Sequence, residues 1–411
     1  MVNNNNKSRN TNKSRNTNKS RNTKGLSLNN KLLIISAVIV VSVGIGLGIY
    51  FGTRSGTSSS SSCSNKLEIV NLENDFYFIP NNTNIKDAVK LWNIDKKACI
   101  ELHGHISFWD TSKITNMSLL FSDYNTFDEN INTKTVILKP GGGGYTAWDV
   151  SNVTDMSYMF DTAESFNQPL NNWDVSNVTT MFGMFRNALK FKQKIDCWDV
   201  SNVTDMSYMF DTAKTFNQPL NDWTVSNVKN MEGMVSGAES FNQPLNNWNV
   251  SNVTNMRNMF YEAKSFNQPL NEWDVSNVTN MRHMFYKATN FNQPLNEWDV
   301  SNVTDMALMF EEAKSFNKPL NNWDVSNVTT IFGMFRNAQS FNQPLNDWDV
   351  SNSTDLSGLF NGAENFNQPL NDWDVSSVTD MSFMFYGATS FNQPLNDWNI
   401  SNVTNMRHML S

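Results

Sequence analysis

Histidine and cysteine are nearly absent. The 411 residues hold four histidines and three cysteines. Cys63, Cys99 and Cys197 are far apart and form neither a CxxC nor a zinc spacing, so we expect free thiols. Cys63 has no lipidation signal upstream, which argues against a lipoprotein. His103 and His105 flank Gly104 without a third ligand in view, so the pair predicts no metal centre. No nucleophile–base pair and no Gly-rich phosphate loop stands out, and the chain does not read as an enzyme. Acid is absent from residues 1–31, which carry eight Lys or Arg; the other 23 basic residues face 39 acids. A net charge of −8 therefore conceals a basic tail ahead of a strongly acidic remainder.

That tail contains three copies of NKSRNT and has no apolar period. Residues 1–31 read as disordered, and no nucleic-acid role is expected of them. Leu32 to Gly52 then runs 21 residues without a charge, long enough to cross a bilayer. Basic residues crowd its N-terminal side, which predicts a single-pass protein with a cytosolic tail. The rest of the chain would then face the cell exterior, or the surface of a virion or organelle. Gly44, Gly48 and Gly52 fall on one helix face and suggest a packing face for a homo-oligomer. Residues 53–66 read as a Ser-rich linker. In residues 67–108, Ile85, Ala88, Val89 and Trp92 are spaced as one face of an amphipathic helix. This segment is expected to cap the array that follows.

What is abundant is repetition. Tryptophans at 148, 173, 198, 223, 248, 273, 298, 323, 348, 373 and 398 stand 25 apart. A fixed period of this size marks a solenoid, whose units bury their apolar faces only by stacking. Residues 109–411 are therefore read as the repeat domain. Leu170-x-x-Trp173-x-Val175-x-Asn177 is close to a leucine-rich pattern, with the Asn one place early. Trp173 and Val175 alternate as on a short strand. Val178, Met181, Met184, Phe185 and Ala188 form a stripe that predicts about two helical turns. The fold class expected is α/β: a leucine-rich-repeat-like solenoid of 25-residue units, each with a short parallel strand and a short helix. Ile331, Leu356 and Leu359 stand in the methionine columns, so those methionines read as core rather than soft-metal ligands. Between Trp109 and Trp148 lie 14 extra residues, including KPGGGG at 139–144, which read as a flexible surface loop.

The stretch VTDMSYMFDTAESF followed by NQPLNNWDVSNVT resembles the BspA-type leucine-rich-repeat surface proteins. The resemblance covers roughly residues 84–411. It implies a surface location and a role in binding or adhesion, and it implies no catalytic residues.

Two columns suggest where binding would occur. Asp149, Asp174, Asp199, Asp274, Asp299, Asp324, Asp349 and Asp374 share one position; Asp222, Glu272, Glu297, Asp347, Asp372 and Asp397 share another two residues earlier. Both alternate with the Trp and Val positions, so fourteen acids are expected on one outward sheet face. Such a face either caps turn amides and stays hydrated, or collects cations, Ca²⁺ among them, or a basic partner. A further column of Asn-x-Ser/Thr, including Asn152, Asn177 and Asn277, reads as glycan acceptors or as an internal hydrogen-bonded ladder; we favour the ladder. The chain is thus read as a membrane-anchored surface protein whose repeats bind a protein or glycan. The alternative is a structural surface-layer or spacer element without a specific ligand.

Overall fold

The repeats stack as expected, but not through strands and helices. A computed structural model describes residues 67–72, 78–138 and 143–410. The basic tail, the Leu32–Gly52 segment with Gly44, Gly48 and Gly52, the Ser-rich linker and part of the KPGGGG run lie outside these residues. Among the described residues no helix is long and apolar enough to cross a membrane.

The described elements are β1 (Glu68–Leu72), α1 (Ile85–Ile94), α2 (Lys96–His103), a short 3₁₀ turn (Ile106–Phe108), β2 (Lys134–Leu138) and β3 (Gly144–Ala147). In α1, Ile85, Ala88, Val89 and Trp92 are buried. They join the same core as Trp109, the first tryptophan of the array. Trp92 meets Trp109 edge to face at 6.4 Å. The α1 stripe therefore covers the end of the stack, where an open unit would expose apolar side chains.

The 14-residue insertion is more ordered than its glycines suggested. Its KTVIL run is β-branched and forms β2. β2 pairs antiparallel with β3, Val136 opposite Tyr145, and parallel with β1, Val70 opposite Val136. Val136 and Val70 are buried, and Tyr145 donates its hydroxyl to the Phe108 carbonyl at 2.6 Å.

The units themselves correct the strand-and-helix expectation. Among the described residues the α-helices are confined to the cap. Trp173 and Val175 lie in no strand. The parallel ladder sits further along, in single-residue bridges such as Asp155–Thr180, Thr180–Asp205 and Asn255–Asn280. Past the bridge, alternate amides reach the next unit: Met156 donates to Thr180 O, Tyr158 to Phe182 O, Phe160 to Met184 O and Thr162 to Arg186 O, at 2.7–3.1 Å. The amides between them turn back three residues, Met159 to Met156 O, Asp161 to Tyr158 O and Ala163 to Phe160 O. Tyr158 and Thr162 take left-handed φ values of 56° and 59°. The segment is a ribbon of linked tight turns. An isolated two-turn helix gains little in water, whereas the ribbon satisfies half its amides across the stack.

The interior agrees with the sequence pattern. Val178, Met181, Met184, Phe185 and Ala188 are fully buried, and so are their counterparts in the internal units. Trp173 and Trp198 stack at 6.4 Å between ring centroids, with planes 4° apart. Each indole also donates to a carbonyl of the preceding unit, Trp198 Nε1 to Leu170 O at 2.9 Å. Phe166, Phe191 and Phe216 form a second stacked column at 6.0 Å. The buried indole N–H is thereby paired in every unit, which a tryptophan core requires.

Candidate functional site

Two exposed regions of each unit carry chemistry: the corner around the tryptophan and the turn ribbon. At the corner, Trp and Val point inward, so the residues flanking the Trp point out. Asp174, Asp274, Asp299, Asp324, Asp349 and Asp374 are exposed, as are Glu272 and Glu297. The acids therefore share one edge, although that edge is a row of turns rather than a sheet face. Each Asp also caps its own turn. The Ser276 amide and hydroxyl donate to Asp274 Oδ1 at 3.1 and 2.6 Å. Equivalent amide bonds join Ser301 to Asp299, Ser326 to Asp324, Ser351 to Asp349 and Ser376 to Asp374. These hydrogen bonds favour the ionised form and hold Asp274, Asp324 and Asp374 below the usual carboxylate range. Among the described residues no Lys or Arg forms an ion pair with Glu272, Asp274, Glu297 or Asp299.

Cys197 occupies the outer acidic column, where the other units from Trp173 onward have Asn, Asp or Glu. It is disulfide-bonded, which corrects the expectation of a free thiol. A cavity of about 250 Å³ opens here among Leu67, Trp173, Asp174, Cys197 and Asp199. Cys99 is free and buried between the cap helices, and burial pushes its thiol up to about 11.

The asparagine ladder is present, but on the surface. Asn277 Nδ2 donates to Ser251 O of the preceding unit at 2.8 Å, and Asn177 Nδ2 to Ser151 O at 2.8 Å. Both asparagines are exposed.

The ribbon is where units differ most. The column of Ser157 continues as Phe182, Ser207, Glu232, Arg257, Arg282, Ala307 and Phe332. Arg186 pairs closely with the buried Asp161, Nη2 to Oδ2 at 2.7 Å, and lies over the Tyr158 ring at 4.7 Å. Arg336 pairs with the buried Glu311 in the same way. Between them, Tyr261 and Tyr286 stack at 4.5 Å with His283 edge-on to both. Burial first, then Arg282 and Arg257, push the His283 ring down to about 4. This basic stretch escaped sequence reading because its members belong together only once the units are stacked; their shared columns 25 apart were the available signal.

The repetition is also visible to comparison with other sequences. One family model matches five overlapping segments, residues 91–198, 141–247, 190–281, 268–355 and 318–411. The chain belongs to that family, described as "Mycoplasma protein of unknown function, DUF285". The overlapping matches mark DUF285 as a tandem-repeat family and begin within α1, so they take in the second half of the cap, from the end of α1 onward. No curated protein and no solved structure matches the chain.

Proposed function

We propose that this chain is a membrane-anchored surface protein, of the BspA-type leucine-rich-repeat kind, whose repeats bind or adhere to a protein or glycan. The observation that carries the reading is the contrast within each unit. The Trp column is unbroken and the Val, Met and Phe columns change at only a few units, as at Val235, Ile331 and Ser353, while the ribbon columns change from Ser to Phe, Glu, Arg and Ala. A rigid stack that varies mainly outside is suited to present a graded surface to a partner. Leu32–Gly52 supplies the anchor in this reading, with the basic tail in the cytosol. The acidic edge is a second docking surface, for a basic group or a cation.

Protease added to intact cells that express the full chain should digest the repeats and spare the NKSRNT tail. Cells displaying the chain should also retain a surface extract in a salt-sensitive manner. Protected repeats would overturn the orientation, and an extract that passes without retention would overturn the binding role. A calcium-holding edge requires a higher melting temperature in calcium than in sodium at matched ionic strength.

A further inference from the structure

One unit departs from its neighbours in the segment between ribbon and corner. The units on either side read SFNQPL at 165–170 and TFNQPL at 215–220, whereas the unit between them reads KFKQKI at 190–195. Lysines thus stand at alternate positions, where the neighbours carry Ser165, Asn167 and Pro169 or Thr215, Asn217 and Pro219. Phe191 and Ile195 stay in the core, while Lys190, Lys192 and Lys194 are exposed. The backbone beneath them is fixed to the preceding unit. The Lys190 amide donates to Glu164 O at 3.1 Å and the Lys192 amide to Asn167 Oδ1 at 3.1 Å.

This row is not neutralised by its own chain. Among the described residues no acid forms an ion pair with Lys190, Lys192 or Lys194. The same positions in both neighbouring units are uncharged. Alternate residues stand no more than about 7 Å apart, inside the Debye length of about 8 Å at physiological salt. The lysines therefore repel one another, and an anion laid along them relieves the repulsion.

Lys192 also interrupts a ladder. In the units that follow, an asparagine at this position fastens each unit to the next. Asn217 Oδ1 accepts from the Asn242 amide and from the Gln243 side chain, both at 3.0 Å. Asn242 Oδ1 accepts from the Asn267 amide and the Gln268 side chain, both at 2.9 Å. A lysine ammonium has no lone pair to offer in that role. Among the described residues the Asn217 amide and the Gln218 side-chain N–H groups accordingly find no acceptor, and both residues are only half-buried. The substitution brings a cation and leaves hydrogen-bond donors unspent beside it.

A short row of point charges with amide donors alongside fits a narrow chain that carries anions. A single-stranded nucleic acid calls for exposed rings on which its bases stack. The rings of this segment, Phe166, Phe191 and Phe216, are all buried. A bilayer is flat, and it would press the exposed Asp174, Asp199 and Asp222 of the adjoining corners against the same headgroups. A sugar chain can follow the row alone, and its hydroxyl and carboxylate oxygens accept from lysine and amide donors alike. We infer that Lys190, Lys192 and Lys194, with the Asn217 amide and the Gln218 side chain, bind a linear polysaccharide that bears carboxylate groups. The inference rests on the reading of the array as a glycan-binding surface; it adds the charge of the glycan and the unit that holds it.

The test uses the full-length protein in a non-ionic detergent and a fluorescein-labelled oligogalacturonate, with binding read by fluorescence anisotropy. The wild type should bind at physiological salt and release the probe at about 1 M, where the Debye length falls to about 3 Å. One variant combines Lys190→Ser, Lys192→Asn and Lys194→Pro, which returns the unit to the pattern of its neighbours. It should bind about tenfold to a hundredfold more weakly. It should also melt no lower than the wild type, because the substituted asparagine can accept from Asn217 and Gln218, so the lost binding is not lost fold. A second variant, Lys190→Arg with Lys192→Arg and Lys194→Arg, keeps the charges and should bind as the wild type does. A neutral dextran oligomer should not compete. A thymidylate oligonucleotide and vesicles of phosphatidylglycerol should each bind at least about tenfold more weakly than the oligogalacturonate. A wild type that ignores the oligogalacturonate, a neighbour-patterned variant that binds it equally well or melts below the wild type, or an oligonucleotide or vesicle bound as tightly would each overturn the inference. If the oligogalacturonate fails while cells displaying the chain still retain a surface extract, this site falls and the surface-binding reading stands.

Discussion

The Tyr158 ring lies directly over Gly183 of the next unit, where an added Cβ would stand 2.7 Å from the ring. Gly183 has a φ of +58°, as do Gly233 beneath Tyr208 and Gly333 beneath Leu308. In these three pairs a large side chain leans on the following unit, which answers with glycine. Gly183→Ala should lower stability by about 1–2 kcal/mol for the left-handed backbone alone, with the displaced ring adding to it. In a Tyr158→Ala background only the backbone cost should remain. Denaturant unfolding of the four proteins in the cycle measures this, and equal losses in both backgrounds would refute the leaning contact.

Phe285 is the test of the core. It is fully buried and stacks with Phe260 at 5.4 Å, Phe310 at 5.5 Å and Phe291 at 4.1 Å. Phe285→Ala should cost about 3–5 kcal/mol. Because each unit touches only its neighbours, the loss should concentrate in adjacent units. Hydrogen exchange should quicken around residues 255–315 and stay unchanged near Trp148; uniform quickening would argue against a nearest-neighbour stack.

Acid should destabilise the array in two windows. His283 is pushed down to about 4, so between the ordinary histidine value of about 6.5 and that point the unfolded chain binds the proton and the folded ring does not. Stability falls with pH through this window. Asp274, Asp324 and Asp374 are held low by their serines, so the stability they contribute is present above about pH 3.9 and is lost below it. His283→Gln should flatten the upper window and leave the lower. Ser276→Ala, Ser326→Ala and Ser376→Ala together should do the reverse. Melting temperatures between pH 7 and pH 3, about the range these groups span, decide it.

Thiol counting checks the cysteines. Cys99 is buried, with its thiol pushed up to about 11, so it should resist alkylation at neutral pH in the folded protein. Denatured without reductant, the chain should label at Cys99 and not at Cys197, and after reduction all three of its cysteines should label. Label on Cys197 before reduction, read by peptide mapping, would contradict its disulfide.

The inward columns were legible because burial leaves a period in the sequence. Trp173, Val175, Val178, Met181, Met184 and Phe185 are buried as their spacing required. Their backbone path was not legible. Steps of three, three, one and three fit a short helix and a ribbon of tight turns equally, and the difference lies in bonds to the next unit. A local signal existed in Gly183, Gly233, Gly333 and Gly358, which recur in one column and favour left-handed backbone over helix. The acidic edge was legible for the same reason as the core, since Glu272 and Asp274 flank a buried tryptophan. The basic ribbon was not, because Arg257 and Arg282 become neighbours only across a stacking interface.

The asparagine ladder has a consequence for the timing of modification. In Asn277-Val278-Thr279 the amide of the asparagine is held by Ser251 O, and the threonine hydroxyl by Thr254 O at 3.2 Å. Both groups that define a glycan acceptor are spent on holding one turn of the coil to the one before. A transferase that meets the finished coil must first unfasten it. A sugar found on this edge would thus be a record of the moments before Asn277 closed onto its neighbour, written while the chain was still being laid down.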